Sequence, residues 1–267
     1  GHVKLFADGS LGSQTALMLE PFLRTSLAEP ENTGVRIHES DELVEIFRTA
    51  AVQGFPISIH AIGDRANHDV LDVFEELKQG TPIPPAPHRI EHVQILDPQD
   101  LPRLGALGIT ASVQPVHIID DIAIADRILG ERGAHMYNFH SLLSSGALLA
   151  FGSDAPVADP NPFLGIHSAL YRRQPDQMEK GAWYPAETIS LEAAIHAYTM
   201  GPAHATGWHH EIGSVELGKR ADIIALDRNL FELVGTDTVD AASADAGIAD
   251  TEVELVLFNG EIVHEDL

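Results

Sequence analysis

Four ionisable side chains in this sequence each follow a short apolar run, and together they indicate a metal site. They are Lys4 in HVKLFADG, His60 in PISIHAIGD, His92 in HRIEHVQ and Asp154 in LLAFGSDAPV. Each run precedes a turn and a helix-like segment. A parallel α/β fold places its chemistry at such strand ends, so we expect these side chains to share one edge of a sheet.

Strand alternation gives the histidines and the aspartate a common placement. In PISIHAIGD, Ser58 and His60 face one side of the strand and the isoleucines face the other. His92 likewise ends a buried strand, and Asp154 follows the last aliphatic one, where its carboxylate is able to bind a metal or accept a proton from metal-bound water. A lone strand-end histidine is more often a structural residue, so the prediction rests on the whole set.

The elements that position these side chains alternate between strands and amphipathic helices. The strand-like runs are VKLFA, PISIHAI, HRIEHVQ, ITASVQP and LLAFGSD, and the helices predicted between them cover residues 41–53, 67–78, 100–107 and 140–143. About five strands of a parallel sheet therefore precede a helix-rich stretch at residues 161–206. ADIIALD and VELVLFNGEIV then predict two strands of a separate small sheet, separated by a polar, alanine-rich segment at residues 236–250, of which residues 240–250 are expected to form an exposed loop.

Composition limits the classes of function. The chain has 267 residues, 44% of them hydrophobic, which suits one α/β domain with a small appendage. It has no cysteine, so any metal must be bound by nitrogen and oxygen ligands. The net charge of −24 argues against nucleic acid as a partner. No apolar run approaches the roughly 20 residues of a membrane span, so membrane insertion is not expected. We expect a cytoplasmic location and a small-molecule substrate.

Several segments resemble the amidohydrolase superfamily, and specifically its YtcJ-like amidohydrolase family 3 branch. They are VKLFADGSLGSQTA, HAIGDRANHDVL, HRIEHVQ, SVQPVH, FGSDAPV and GSVELGKRADIIALD, in the family's order over nearly the whole chain. The resemblance implies an α/β fold of the (β/α)8 TIM-barrel type, a metal-dependent hydrolase with a small β-sandwich beside the barrel. It implies that residues 1–207 cover about barrel strands 4 to 8 and that residues 208–267 supply the C-terminal strands of the sandwich.

The same resemblance assigns roles to the candidate residues. It implies that His60 and His92 are metal ligands and that Asp154 is both a ligand and the catalytic general acid/base. Lys4 matches a lysine that is carboxylated in related members and bridges two metals. The implied cofactor is one or two divalent ions, with zinc expected.

Other residues are candidates for orienting the ligands or contacting the substrate. Some of these residue types also have purely structural roles, because an aspartate before a glycine often forms a turn and surface carboxylates often form ion pairs. The candidates are Asp8, Asp64, Glu91, Arg65, Gln114 and His117.

One motif of the resembled family is absent. Its barrel begins with His-x-His on the first strand, whereas the adjacent His209 and His210 of this chain have the wrong spacing. We therefore expect the chain to be the C-terminal half of a longer enzyme whose N-terminal half is a partner, since about five strands cannot close a barrel. Assembly into a homo-oligomer is also open.

The implied reaction is hydrolysis of an amide-type C–N bond by metal-activated water. Two alternatives stay open on the sequence. One is a deaminase or an ester or lactone hydrolase on the same scaffold, because one metal site supports several hydrolytic reactions. The other is a catalytically incomplete fragment, which the absent His-x-His favours.

Overall fold

The computed structural model describes residues 1–23, 31–78, 80, 82, 84–177, 179–234 and 247–266. The chain divides into two compact units. The first consists of Gly1–Val113 and Asp120–Ala150, and the second of Gln114–Ile119 and Phe151–Leu267. Among the residues described, no helix has the length and apolar character needed to span a membrane.

A five-stranded sheet forms the centre of the first unit. Its strands lie side by side in chain order, and the first four pair in parallel. Buried isoleucines such as Ile57, Ile59 and Ile90 line one face of the sheet and are fully enclosed. The strands are β1 (Val3–Phe6), β2 (Ile57–Ala61), β3 (Arg89–His92), β4 (Thr110–Val113) and β5 (Leu148–Phe151).

Helices connect consecutive strands, as the apolar spacing predicts. Phe47 and Phe74 come from successive helices and pack with ring centroids 4.8 Å apart, which shows why both segments are amphipathic. The connecting helices are α1 (Ser40–Val52), α2 (Asp64–Leu77), α3 (Leu101–Leu107), α4 (His117–Ile128) and α5 (Phe139–Ser144). This βα succession confirms the prediction of part of a (β/α)8 barrel.

The prediction between β4 and β5 was incomplete. It placed a single helix at residues 140–143, whereas the structure also has α4 and a 3-10 helix at Gly130–His135. The structure buries Ile118, Ala125 and Ile128, which lie at helical spacing, so an apolar stripe was present in HIIDDIAIADRI and was not recognised in the sequence.

The second unit contains the predicted helix-rich stretch and an antiparallel sheet. Its helices are α6 (Pro162–Tyr171), a 3-10 turn (Pro185–Glu187), α7 (Leu191–Tyr198), α8 (Met200–Ala205) and α9 (Leu230–Val234). The sheet has the order β6 (Ile223–Leu226), β7 (Val253–Phe258) and β8 (Glu261–Glu265). The predicted boundary between residues 207 and 208 stays a prediction.

The prediction of two C-terminal strands was wrong, because VELVLFNGEIV folds as a hairpin of β7 and β8. Asn259 and Gly260 have φ values of +52° and +84°, which is the backbone of a two-residue hairpin turn. Most of the exposed loop predicted at residues 240–250 falls at positions 240–246, which lie outside the described residues; residues 247–249 are helical and Ile248 is fully buried, so the prediction was wrong there.

Candidate metal centre

His60 and His92 are brought together at the carboxyl ends of adjacent parallel strands. Their ring centroids are 4.5 Å apart, and the ring planes meet at 70°. In the register of the sheet, His60 pairs with Glu91 and His92 pairs with Ala61, so strict alternation would place the two imidazoles on opposite faces. His92 has a φ of +76°, which rotates its Cβ out of the regular pleat. This turn explains how its ring reaches His60.

The His60 ring is held in one tautomer by the turn after β1. Its Nε2 lies 2.7 Å from the carbonyl oxygen of Gly9. A carbonyl only accepts, so Nε2 carries a proton, and in the neutral ring Nδ1 then carries the lone pair. Asp8 Oδ1 lies 3.4 Å from the same Nε2. Holding one ring nitrogen in this way is how proteins aim the other nitrogen at a metal.

Asp8 ties this turn to the end of β2. Its carboxylate accepts the backbone N–H groups of Leu17, Ile62 and Gly63 at 2.9, 3.0 and 2.8 Å. Burial raises the pKa of Asp8 to about 6, although these three hydrogen bonds oppose the shift. The residue is 1% exposed. Asp8 therefore fixes the backbone on which the His60 ring is held.

Glu91 and Lys4 lie on the same sheet face as His60. Glu91 accepts hydrogen bonds from Ser58 Oγ at 2.5 Å and Arg89 Nε at 2.6 Å. Burial favours the neutral acid, but hydrogen bonds from Ser112 and Ser58 and the charges of Arg89 and Lys4 outweigh it and lower the pKa of Glu91. Glu91 is thus an anion at neutral pH. The carboxylation of Lys4 stays a prediction.

Asp64 and Arg65, at the start of α2, contact the backbone and a helix neighbour. Asp64 accepts the N–H groups of Leu19 and Arg65 at 2.7 and 2.8 Å, and burial raises its pKa. Arg65 Nε donates to Asp69 Oδ1 at 2.8 Å. These contacts stabilise the helix start, and the roles predicted for both residues at the site stay predictions.

Asp154, Gln114 and His117 belong to the second unit. Asp154 is exposed in a turn after β5 with a φ of +59°, and its carbonyl accepts the Val157 N–H at 2.8 Å. Gln114 is buried, and its carbonyl accepts the N–H of His117 at 3.1 Å. The approach of Asp154 to the two imidazoles stays a prediction.

The histidine pair fits part of the donor set of a divalent ion. Zinc binds imidazole nitrogen, and a catalytic zinc takes three protein ligands. Within the part of the chain that the structure describes, no three His, Asp or Glu side chains form a group that could hold a metal. His60 and His92 therefore supply two nitrogen donors, and at least one further ligand is needed to complete a catalytic site.

Three residues that the sequence analysis missed surround the turn after His92. Gln94 Nε2 and Tyr137 Oη both donate to Asp121 Oδ2, and each donor lies 2.5 Å from that oxygen. The Tyr137 N–H donates in turn to the Gln94 carbonyl at 2.9 Å. The three positions are far apart in the sequence. The one available signal was the acidic pair Asp120-Asp121 between the isoleucines of the first half of α4.

Comparison with known proteins gives consistent matches. A sequence model described as the amidohydrolase family matches residues 1–264. Protein LONG AFTER FAR-RED 3 of Arabidopsis thaliana is 40% identical over 239 residues, which cover 89% of this chain and 40% of that protein. Putative amidohydrolase YtcJ of Bacillus subtilis (strain 168) is 31% identical over 266 residues, covering 99% of this chain and 47% of that protein.

A solved structure of a metal-dependent hydrolase also matches this chain. An uncharacterized metal-dependent hydrolase from Pyrococcus furiosus superposes with a TM-score of 0.69 at 34% identity. The match covers 82% of this chain and 42% of that one. This chain thus spans less than half the length of each of these three proteins.

Proposed function

Because this chain belongs to the amidohydrolase family, we propose that its protein is a metal-dependent hydrolase that cleaves an amide-type C–N bond in a small molecule. The observation that carries the proposal is the contact between His60 and His92 at the ends of adjacent parallel strands. The carboxyl ends of barrel strands are where this fold carries its catalytic residues.

His60 and His92 are the residues that would hold a divalent ion, with Asp154 and Lys4 as the further ligands proposed. Zinc suits this set, because it accepts imidazole nitrogen and carboxylate oxygen. When bound, such an ion polarises a substrate carbonyl and lowers the pKa of water.

The chain's own residues would orient the ligands and move the proton. Gly9 O accepts a hydrogen bond from Nε2 of His60, which would leave Nδ1 as the nitrogen to bind an ion. Asp154 would accept the proton of the attacking water and deliver it to the leaving nitrogen. The remaining barrel strands are proposed to come from a longer polypeptide of the kind found in the relatives.

The first test is the metal content of purified protein of this sequence, prepared without added metal and measured by inductively coupled plasma mass spectrometry. We expect about one zinc per chain in the wild type and less than about 0.1 in the His60→Ala/His92→Ala double variant, because two nitrogen donors are lost. The matched control is His38→Ala/His264→Ala, which removes one histidine from the bend before α1 and one from β8. The proposal would be contradicted if the His60→Ala/His92→Ala variant retained zinc. It would also be contradicted if folded wild-type protein bound none.

The reaction is tested on zinc-loaded protein with N-acyl amides, esters, lactones and aminated heterocycles in parallel. We expect chelator-sensitive hydrolysis of an amide, abolished in the His60→Ala/His92→Ala variant. Turnover restricted to esters or lactones, or to release of ammonia from a ring, would replace the C–N bond assignment by one of the other reactions that this scaffold supports.

A further inference from the structure

The contact between His92 and His60 depends on a turn that the backbone does not adopt readily. His92 and Val93 have φ values of +76° and +42°, in the left-handed region that L residues avoid. Val93 is β-branched and 2% exposed, so this conformation is especially unfavourable for it. Strained backbone of this kind persists only where the surrounding structure enforces it.

A ring of hydrogen bonds fixes the far side of this turn. Gln94 is 4% exposed, and its Nε2 donates to Asp121 Oδ2 at 2.5 Å. Tyr137 Oη donates to the same oxygen at 2.5 Å, while the Tyr137 N–H donates to the Gln94 carbonyl at 2.9 Å. Bonds to an ionised carboxylate are stronger than neutral ones. Asp121 on α4 therefore joins the residue after the turn to the segment that precedes α5.

Backbone bonds extend the attachment over the next two residues. The Ile95 N–H donates to the Ile62 carbonyl at 2.9 Å, at the end of β2. The Leu96 N–H donates to the His135 carbonyl at 3.0 Å, and Ile95 forms an isolated antiparallel bridge with Met136. Residues 94–96 are thus held on both sides, so the chain cannot straighten at His92 without breaking these bonds.

We propose that Gln94, Asp121 and Tyr137 are positioning residues of the candidate metal centre. They hold the left-handed turn and so keep the His92 imidazole beside that of His60. The turn is required because regular alternation would send His92 to the other sheet face. The link to metal binding rests on the proposed function, whereas the placement of the ring does not.

The first test measures ring placement without metal. The nuclear Overhauser effect between the His60 and His92 ring protons is recorded in histidine-labelled wild type, Gln94→Met and Tyr137→Phe, with resonances assigned from single histidine variants. We expect the effect to fall at least about twofold in Gln94→Met, which keeps the side-chain length but removes the donor. Tyr137→Phe removes one hydroxyl and serves if Gln94→Met fails to fold.

Arg103→Met is the matched control. Arg103 donates to Asp72, Glu75 and Asp100 through hydrogen bonds of 2.7 to 2.9 Å, so its loss also breaks a side-chain network, but one that links α2 to the start of α3. We expect the nuclear Overhauser effect between the His60 and His92 ring protons to be the same in Arg103→Met as in the wild type. This should hold even if the urea midpoint of Arg103→Met falls as far as that of Gln94→Met.

The second test measures zinc affinity by competition with a chromophoric chelator. We expect Gln94→Met to bind zinc about 10- to 100-fold more weakly than the wild type, as for other residues that orient metal-binding imidazoles. Arg103→Met should stay within about twofold, because it leaves the ring contact intact.

An unchanged ring contact in Gln94→Met and Tyr137→Phe would overturn the inference, whatever happens to zinc. A lost contact with unchanged zinc affinity would also overturn it, because the turn would then not serve the metal centre. Wild-type protein that binds no zinc would count against the proposed function alone, and the ring contact would still decide the positioning role.

Discussion

A single buried carboxylate joins the turn after β1 to the end of β2, and its removal has a predictable effect. Asp8→Ala leaves the N–H groups of Leu17, Ile62 and Gly63 without their acceptor. A buried donor left unsatisfied costs about 1–3 kcal/mol, so we expect the free energy of unfolding to fall by about 3–5 kcal/mol in urea titration. Asp8→Asn keeps one acceptor oxygen and should lose less.

The control for Asp8 is Asp176→Ala, which removes a carboxylate from an exposed turn. Its free energy of unfolding should stay within about 0.5 kcal/mol of the wild type. If Asp8→Ala proved as stable as Asp176→Ala, the three hydrogen bonds would not hold the turn as described.

At the residue scale, the sequence is informative where a side chain ends a strand and uninformative where the backbone departs from the pleat. His60 and Asp8 follow apolar runs, and their proximity follows from the parallel register of β1 and β2. The cluster of Gln94, Asp121 and Tyr137 assembles through a left-handed turn that no spacing rule encodes. Alternation alone would have separated the two histidines that the structure brings into contact.

At the scale of elements, the turn between β2 and α2 packs so closely that only glycine fits. A Cβ on Gly63 would lie 1.9 Å from the carbonyl oxygen of Leu17, a backbone atom that cannot rotate away. Gly63→Ala therefore forces the loop at residue 17 away from Asp8. We expect a loss of about 2–4 kcal/mol in the free energy of unfolding, measured by urea titration.

Gly12→Ala is the matched control, because a Cβ at Gly12 meets no heavy atom within 4 Å among the residues that the structure describes. It should change the free energy of unfolding by less than about 0.5 kcal/mol. Equal free energies of unfolding for Gly63→Ala and Gly12→Ala would show that the loop at residue 17 can move away from residue 63 without loss of stability.

Element prediction succeeded where one apolar stripe dominates a segment. Phe47 and Phe74 lie on such stripes, and the helices that carry them begin and end within three residues of the predicted bounds. The hairpin of β7 and β8 was missed although Asn259-Gly260 is a strong hairpin signal, because the apolar run on each side was taken as one strand. Turn chemistry, rather than hydrophobic pattern, decides such cases.

At the scale of the whole molecule, resistance to acid depends on a partly buried histidine, His88, at the amino end of β3. His88 Nδ1 accepts the N–H of Ile57, the first residue of β2, at 3.0 Å. Burial, together with the nearby His2, lowers the pKa of His88 from 6.5 to about 4. Protonation of Nδ1 would break the bond to β2, so the folded state binds this proton more weakly than the unfolded state.

Between pH 6.5 and 4 the unfolded chain binds more protons at His88, so stability rises with pH across this window and is lost as the pH falls. Each pKa unit is worth about 1.4 kcal/mol, and with allowance for partial exposure we expect His88 to account for about 2 kcal/mol lost between pH 7 and 4.5. Asp8 acts in the opposite direction, since its raised pKa favours the folded state as the pH falls through about 6.

Comparison of two variants isolates the histidine from these other groups. His88→Asn retains an acceptor near the Ile57 N–H but cannot titrate, so its free energy of unfolding should fall about 2 kcal/mol less than that of the wild type between pH 7 and 4.5. His264→Asn, at an exposed position on β8, should follow the wild-type profile. Urea titrations at closely spaced pH values measure both differences. Parallel profiles for the wild type and His88→Asn would mean that the His88 proton is bound equally in the folded and unfolded states, and that acid sensitivity of the molecule originates elsewhere.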